Sequence, residues 1–195
     1  MTRRAALSRI DILRGLKRLD AMASQAEKVV EIAIYGGAAL SLAFDMRVTT
    51  RDVDAVIHGS PGFVRACAAR IAADEGWPVD WLNDGVKGFL SPREELRLMR
   101  EFQAPAGKGL RILVPTPEYL FAMKCMAMRP EGLEGSHDIS DIEALATIAG
   151  IPDAKSALEL VESFYPRGEI PPKVRFGVEE IMERVTAKAR RPRDQ

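Results

Sequence analysis

Residues 36–54 read GGAALSLAFDMRVTTRDVD, and this stretch decides the fold. The run Val29–Tyr35 comes directly before it, and its apolar, β-branched composition predicts a buried strand. Two glycines then lead into a short apolar helix, predicted over Gly37–Phe44. Asp52–Ile57 is predicted to form a second strand. The stretch therefore predicts a strand, a glycine turn, a helix and a strand in immediate succession.

Acids and glycines in this stretch are the candidate functional residues. Asp52 and Asp54 are two positions apart on the predicted strand, so their side chains project from the same face and can hold a divalent cation. Acids at the start of a strand are also common turn residues. Gly36 and Gly37 precede a helix, where free N–H groups can bind a phosphate, although a tight turn would also favour glycine. Together the two pairs predict a site for a metal-bound nucleoside triphosphate.

Composition and charge indicate the class of protein. The 195 residues are 47% hydrophobic and 29% charged with no net charge, as expected of a globular protein with a sizeable core. Cys67 and Cys125 do not make a disulfide framework, and no signal peptide is recognised, so we expect a cytoplasmic protein with no membrane partner. Two histidines make a Cys/His zinc site unexpected. The first 18 residues and the tail 188–193 are basic. We interpret them as solvated helix faces, and a rim that binds a polyanion such as tRNA is the alternative.

Periodicity along the rest of the chain predicts an α+β protein with an α/β-type core. A first helix is expected over Ala6–Ala26, where apolar residues recur every three positions: Leu7, Ile10, Leu13, Leu16, Leu19 and Met22. The further predicted elements are a helix at 63–74, a strand at 77–82, a short helical piece at 86–90, strands at 96–102 and 110–114, and helices at 116–129, 138–150, 153–164 and 172–189. We therefore expect a core over residues 1–115, a helical C-terminal region over 116–190 packed on that core, and a tail at 191–195.

Two motif blocks resemble a known family. The strand, the glycine pair and helix, and then Arg47 and Thr50 ahead of Asp52-Val53-Asp54 resemble the DNA polymerase β-like nucleotidyltransferase superfamily. Lys124-x-x-Ala127-x-Arg129 followed by Asp138-x-x-Asp141 resembles the second block of bacterial AbiEii-type nucleotidyltransferases, which belong to abortive-infection and toxin–antitoxin systems. The blocks span residues 32–57 and 113–145, so element order alone covers the chain between them. Many superfamily members have Gly-Ser at the glycine turn, and the CCA-adding branch has Arg-Asp where this chain has Ala-Leu-Ser.

The resemblance implies a nucleotidyltransferase fold, with a short mixed sheet flanked by helices. It implies an enzyme that transfers a nucleoside monophosphate from a nucleoside triphosphate to an acceptor with two Mg²⁺ (or Mn²⁺) ions. An RNA 3′ end such as that of tRNA, or a protein hydroxyl, would be the acceptor, and a cognate antitoxin would be a partner. Two alternatives stay open: an inactive nucleotide-binding or protein-interaction module on the same fold, and an antibiotic-type nucleotidyltransferase with a deep pocket for a small molecule.

The resemblance also assigns roles to individual residues. Asp52 and Asp54 would bind metal with a third acid, which we expect to be Asp80 on the strand at 77–82, although an exposed edge-strand acid would also occur there. Asp84 and Glu101 are the alternatives for the third acid.

Nucleotide contacts are expected from residues in both motif blocks. In the first block they are Gly36, Gly37, Thr50 and Arg51, although the arginines at 47 and 51 could instead pair with local acids. In the second block Lys124 would steady the triphosphate, or merely extend to solvent from its apolar helix. Asp138 would orient the nucleotide or Lys124, or simply cap a helix.

Overall fold

The computed structural model describes residues 6–129 and 137–190, and for 189 and 190 the backbone only. The predicted tail at 191–195, the basic residues Arg3 and Arg4, and the segment 130–136 lie outside the described residues. The helices are α1 (Arg9–Gln25), α2 (Gly36–Phe44), α3 (Pro61–Glu75), α4 (Pro117–Ala127), α5 (Asp138–Ile148), α6 (Ala154–Phe164) and α7 (Pro172–Arg190). The strands are β1 (Leu7–Ser8), β2 (Val29–Ile34), β3 (Thr49–Thr50), β4 (Val53–His58), β5 (Leu82–Asn83), β6 (Leu96–Gln103) and β7 (Gly109–Pro115). Short 3₁₀ helices occupy Gly85–Phe89 and Arg167–Glu169.

A mixed five-stranded sheet in the order β5-β4-β2-β7-β6 confirms the predicted α+β class. Strand β2 pairs antiparallel with β4 and parallel with β7, and β6 pairs antiparallel with β7. Strand β5 pairs parallel with β4 and places Asn83 opposite Asp54. The helices α4–α7 follow the last strand, as the sequence predicts. Among the described helices, none has both the length and the apolar composition needed to cross a bilayer.

The chain divides into two compact units. The first contains the chain up to Gly88 and the hairpin Leu96–Pro115, and the second contains Phe89–Glu95 and the chain from Thr116 onward. Hydrogen bonds explain why the segment Phe89–Glu95 belongs to the second unit. Ser91 N–H donates to the Tyr119 hydroxyl, and the Tyr165 hydroxyl donates to the Phe89 carbonyl at 2.6 Å. Tyr119 also stacks on Phe164 at 5.1 Å between ring centroids.

The buried face of helix α1 overlaps only in part with the apolar stripe that its spacing predicts. Its buried side chains include Ile12, Leu16 and Leu19, whereas Ile10 is 74% exposed. A spacing of three drifts around a helix that has 3.6 residues per turn, so the predicted stripe is only partly the buried one. The helix also begins at Arg9 rather than Ala6, because Ser8 and Asp11 form a capping box there.

The strand predicted at 77–82 is wrong over most of its length. Residues 77–81 form a turn, and only Leu82 and Asn83 pair with β4. The Trp81 ring is fully buried, its indole N–H donates to the Ala68 carbonyl at 3.0 Å, and Trp77 packs edge-on against it. This packing requires a turn, because residues four apart on an extended strand are separated by about 13 Å, too far for the two ring centroids to approach to 5.3 Å.

A further difference lies in the segment 47–51, between the predicted helix and the predicted second strand, for which no strand is predicted. Thr49–Thr50 instead pairs antiparallel with Leu7–Ser8 and forms a small second sheet. Thr50 is consequently buried.

One prediction concerns Ser41 in α2, which is fully buried and whose hydroxyl has no hydrogen-bond partner among the described residues. A buried hydroxyl without a partner keeps its full desolvation cost. We expect Ser41→Ala to raise the free energy of unfolding by about 1 kcal/mol in urea titrations followed by circular dichroism. The control is Ser163→Ala on the exposed face of helix α6. The Ser163 hydroxyl donates to the Leu160 carbonyl, and its loss should change the free energy of unfolding by less than about 0.5 kcal/mol. Equal effects of both variants would contradict this account.

Candidate functional site

Asp54 lies against the first turn of α2. Gly36 is the first residue of this helix, and its φ of 59° falls in the left-handed region that favours glycine. A Cβ atom at position 36 would lie 3.0 Å from Asp54 Oδ2. A Cβ atom at Gly85 would lie 3.3 Å from Asp54 Oδ1. The carboxylate is therefore held between two glycines, where backbone approaches it more closely than other residue types allow.

The second predicted glycine contacts the segment between α2 and β4. A Cβ atom at Gly37 would lie 2.6 Å from Arg47 Nη1 and 2.7 Å from Thr50 Oγ1. The Thr50 hydroxyl donates to the Asp52 carbonyl at 3.2 Å, so this threonine fixes the backbone that carries the first acid. The structure thus brings Gly36, Gly37, Thr50 and Asp54 together, whereas Arg51 is exposed in the bend before β4.

Asn83 stands beside both acids. It is paired with Asp54 in the β4–β5 register, and its Nδ2 donates to Asp52 Oδ2 at 3.1 Å. Its Oδ1 accepts the Gly85 N–H at 2.8 Å. The two contacts fix the orientation of the amide, because exchanging its ends would oppose two N–H donors at Gly85. An amide therefore occupies the neighbouring strand on which a third acid is expected.

None of the three candidate third acids joins Asp52 and Asp54 in a group of ligands. Asp80 is exposed in the turn before β5 rather than on a strand. Asp84 forms ion pairs with Lys87 and Arg65. Glu101 lies on β6, three strands away from β4 in the sheet. In residues 6–129 and 137–190, no three His, Cys, Asp or Glu side chains form a group that could hold a metal ion.

Two half-buried carboxylates are nevertheless a fitting donor set for Mg²⁺ in a nucleotide site. Mg²⁺ is usually bound there by one or two carboxylates, with waters and substrate phosphates as the other ligands. Asp52 and Asp54 supply those carboxylates, and the glycine beside Asp54 leaves space that a Cβ atom would fill.

The second motif block forms a buried charge cluster in the second unit. Lys124 Nζ on α4 lies 2.8 Å from Asp141 Oδ2 and 3.4 Å from Asp138 Oδ1 on α5. The side chains of Lys124, Asp138 and Asp141 are 12%, 5% and 6% exposed. Arg129 Nε donates to Asp138 Oδ2 at 3.1 Å. Burial opposes ionisation of Asp138, but Arg129 and Lys124 outweigh it, so the pKa of this carboxyl is lowered.

This cluster corrects two readings of the second block. Lys124 does not extend to solvent, because it is largely buried between the two carboxylates. Asp138 is not the cap of α5, because His137 is the N-cap residue and the Asp138 side chain turns to Arg129 and Lys124.

Three arginines of α1 have acidic partners, and Arg9 has its contact with Asp45. Arg14 and Arg18 both contact Glu75 at the end of α3, and Arg18 also contacts Asp74. Acids at the end of α3 therefore balance the charges of these two arginines.

Sequence reasoning missed Asn83 and Gly85 as members of the site. In the sequence Asn83-Asp84-Gly85 has the composition of a turn, and the parallel pairing of Asn83 with Asp54 brings residues 29 positions apart together.

Comparisons with protein-family models, with curated proteins and with solved structures gave no match to this chain.

The glycine at the start of α2 gives a stability prediction. We expect Gly36→Ala to lower the free energy of unfolding by about 1–2 kcal/mol, because alanine is strained at positive φ and its Cβ would press on the Asp54 carboxylate. The matched control is Gly62→Ala in the first turn of α3, where a Cβ meets nothing within 4 Å, and a gain of about 0.5–1 kcal/mol is expected. Urea unfolding measures both, and a loss at both positions would refute the specific role of Gly36.

The charge cluster gives a pH-dependent prediction. Lys124→Met removes the ammonium group that lies between two buried carboxylates. It should lower the free energy of unfolding by about 3–5 kcal/mol at pH 7. In the wild type the lowered pKa of Asp138 stabilises the fold above the unfolded value near 3.9, and that stability is lost as pH falls below it. Without Lys124 the Asp138 pKa should rise. The difference in free energy of unfolding between the wild type and the variant should therefore become smaller as the pH falls from 7 to about 4.

The control for this prediction is Lys155→Met on α6, where the exposed lysine has only a 3.8 Å contact with Glu159. This variant should stay within about 0.5 kcal/mol of the wild type. Unfolding titrations at several pH values follow both proteins, and a pH-independent deficit in Lys124→Met would contradict the ion-pair account.

Proposed function

We propose that this chain is a metal-dependent nucleotidyltransferase of the DNA polymerase β-like superfamily, resembling the AbiEii-type enzymes. The observation that carries the proposal is the contact between the Asp54 carboxylate and the glycine that opens α2. It supports a single place where a divalent cation and a phosphate chain would meet, as transfer from a nucleoside triphosphate requires.

The residues of this place have distinct roles in the proposal. Backbone N–H groups at the start of α2, from Gly36 and Gly37, bind phosphate oxygens. Asp52 and Asp54 hold Mg²⁺, or Mn²⁺ in its place, together with the triphosphate. A cation held by these carboxylates would supply neutralisation of charge on the phosphates and on the departing pyrophosphate. Thr50 acts indirectly, because its hydroxyl fixes the Asp52 carbonyl.

The proposed reaction replaces one bond at the α-phosphorus by another. The oxygen of an acceptor hydroxyl bonds to the α-phosphorus while the bond from that phosphorus to the bridging oxygen breaks, and pyrophosphate leaves with the electron pair. The hydroxyl proton passes to water, because Asp52 and Asp54 are engaged with the cation and the amide of Asn83 cannot accept a proton. The acceptor is an RNA 3′ end such as that of tRNA or a protein hydroxyl in the cytoplasm, and a cognate antitoxin would regulate the enzyme.

The second motif block supplies a positioning role. The resemblance assigns nucleotide contacts to Lys124 and Asp138. The ion pairs that hold Lys124 support the version in which Asp138 and Asp141 orient this lysine.

A second candidate function is a nucleotide-binding module without turnover on the same fold. Asn83 favours it, because the strand beside the two acids carries an amide rather than a third carboxylate. Such a module would still bind the triphosphate with Mg²⁺, so binding and transfer must be measured separately.

The experiment that tests the proposal incubates the protein with Mg²⁺, each α-labelled nucleoside triphosphate, and total RNA or cell lysate as acceptor. Labelled acceptor is expected with the wild type, and at least about 100-fold less with Asp54→Asn, which loses a negative metal ligand. The matched control is Asp45→Asn at the opposite end of α2, where an exposed acid adopts a left-handed conformation that asparagine tolerates. This control should label like the wild type.

The remaining outcomes separate the two candidates. Mg²⁺-dependent binding of a fluorescent triphosphate analogue without any labelled acceptor would favour the binding module. Equal labelling by the wild type and Asp54→Asn, or no binding of any nucleotide, would overturn the proposed site.

A further inference from the structure

Asn83 is the residue at the proposed site with the most informative position. Its strand pairs with the strand of the acids, and its amide nitrogen donates to Asp52 while its amide oxygen accepts from Gly85. Both ends of the side chain are thus engaged, and the positive N–H end points at the carboxylate.

The direction of this hydrogen bond affects how many cations the site can hold. Two-metal sites place the ions about 4 Å apart, and they need bridging carboxylates together with further oxygen ligands for each ion. The group beside Asp52 is the amide N–H of Asn83, which repels a cation and already donates to Asp52 Oδ2. The carboxylates of Asp52 and Asp54 together carry two negative charges, which balance one divalent cation.

Nearby acids do not compensate for the amide. Asp84, the next residue along the chain, is engaged with Lys87 and Arg65. Asp80 offers its backbone carbonyl to Asn83 Nδ2 at 3.4 Å and therefore contributes to fixing the amide. The described residues contain no group of three acidic, histidine or cysteine ligands at this place.

We infer that Asn83 limits this site to a single divalent cation, because it places a neutral amide where a second cation would need an anionic oxygen. The inference rests on the proposed function, because it concerns the cation that Asp52 and Asp54 hold. Asn83 is a positioning residue in this account, and Asn83→Asp creates the missing ligand for a second ion.

The test counts Mn²⁺ ions by electron paramagnetic resonance, with Mn²⁺ alone as the probe. A Mn²⁺ site is assigned to the Asp52 and Asp54 carboxylates if it is lost in Asp54→Asn. The wild type should have one such site and a six-line spectrum, and Asn83→Asp should have two, with the broadened signal of coupled ions. Asn83→Ala, which removes the donor without adding charge, should keep one site. Asp84→Asn, the neighbouring acid, should match the wild type.

Circular dichroism establishes that each variant is folded before ions are counted. If Asn83→Asp does not fold, the wild type and Asn83→Ala decide the question. Two sites in the wild type or in Asn83→Ala, or one site in folded Asn83→Asp, would overturn the inference and leave the metal site standing. No Mn²⁺ site sensitive to Asp54→Asn would instead overturn the proposed function itself.

Discussion

The close approach of the α2 backbone to the Asp54 carboxylate is the constraint on which the rest of the site depends. The pairing of β2 with β4 continues one residue past the strand, since the Tyr35 N–H donates to the Asp54 carbonyl at 2.9 Å. The helix begins at the next residue, so there is no loop to absorb the change of direction. Only a residue without a side chain fits there, and positive φ at Gly36 turns the chain from strand to helix.

This constraint also places a charge where the helix can stabilise it. The N-terminus of a helix carries a partial positive charge and favours nearby anions. Asp54 therefore lies in the same field that would attract a phosphate, and the two anions would repel each other there. A cation between them removes that repulsion, which is a physical reason for expecting a cation held by the carboxylates to strengthen nucleotide binding.

Local patterns were sufficient to predict the first motif, and non-local packing explains where prediction failed. Strands β2 and β4 and helix α2 follow from apolar runs and a glycine pair that lie next to one another in the sequence. The turn at 77–81 depends on Trp81 reaching the Ala68 carbonyl on α3, a contact that a strand-like composition does not reveal. Asn83 reached the site through a two-residue parallel pairing with β4, which is too short to give a sequence signal. Asp138 has the spacing of a helix cap, yet the buried Lys124 on α4 and the exposed Arg129 determine its actual role.

Stability alone does not account for the charge cluster of the second unit. Lys124 and the exposed Arg129 balance Asp138 and Asp141, so the four side chains together carry no net charge, and the lysine and the two aspartates can be buried. Replacing a buried ion pair by apolar residues of similar volume is often neutral or stabilising, so burial of these charges does not by itself explain their presence. What the cluster provides is a lysine whose ammonium group is fixed by carboxylates on a second helix. A fixed ammonium group loses little freedom when it meets a phosphate, and this supports the proposal that the second motif block serves nucleotide chemistry.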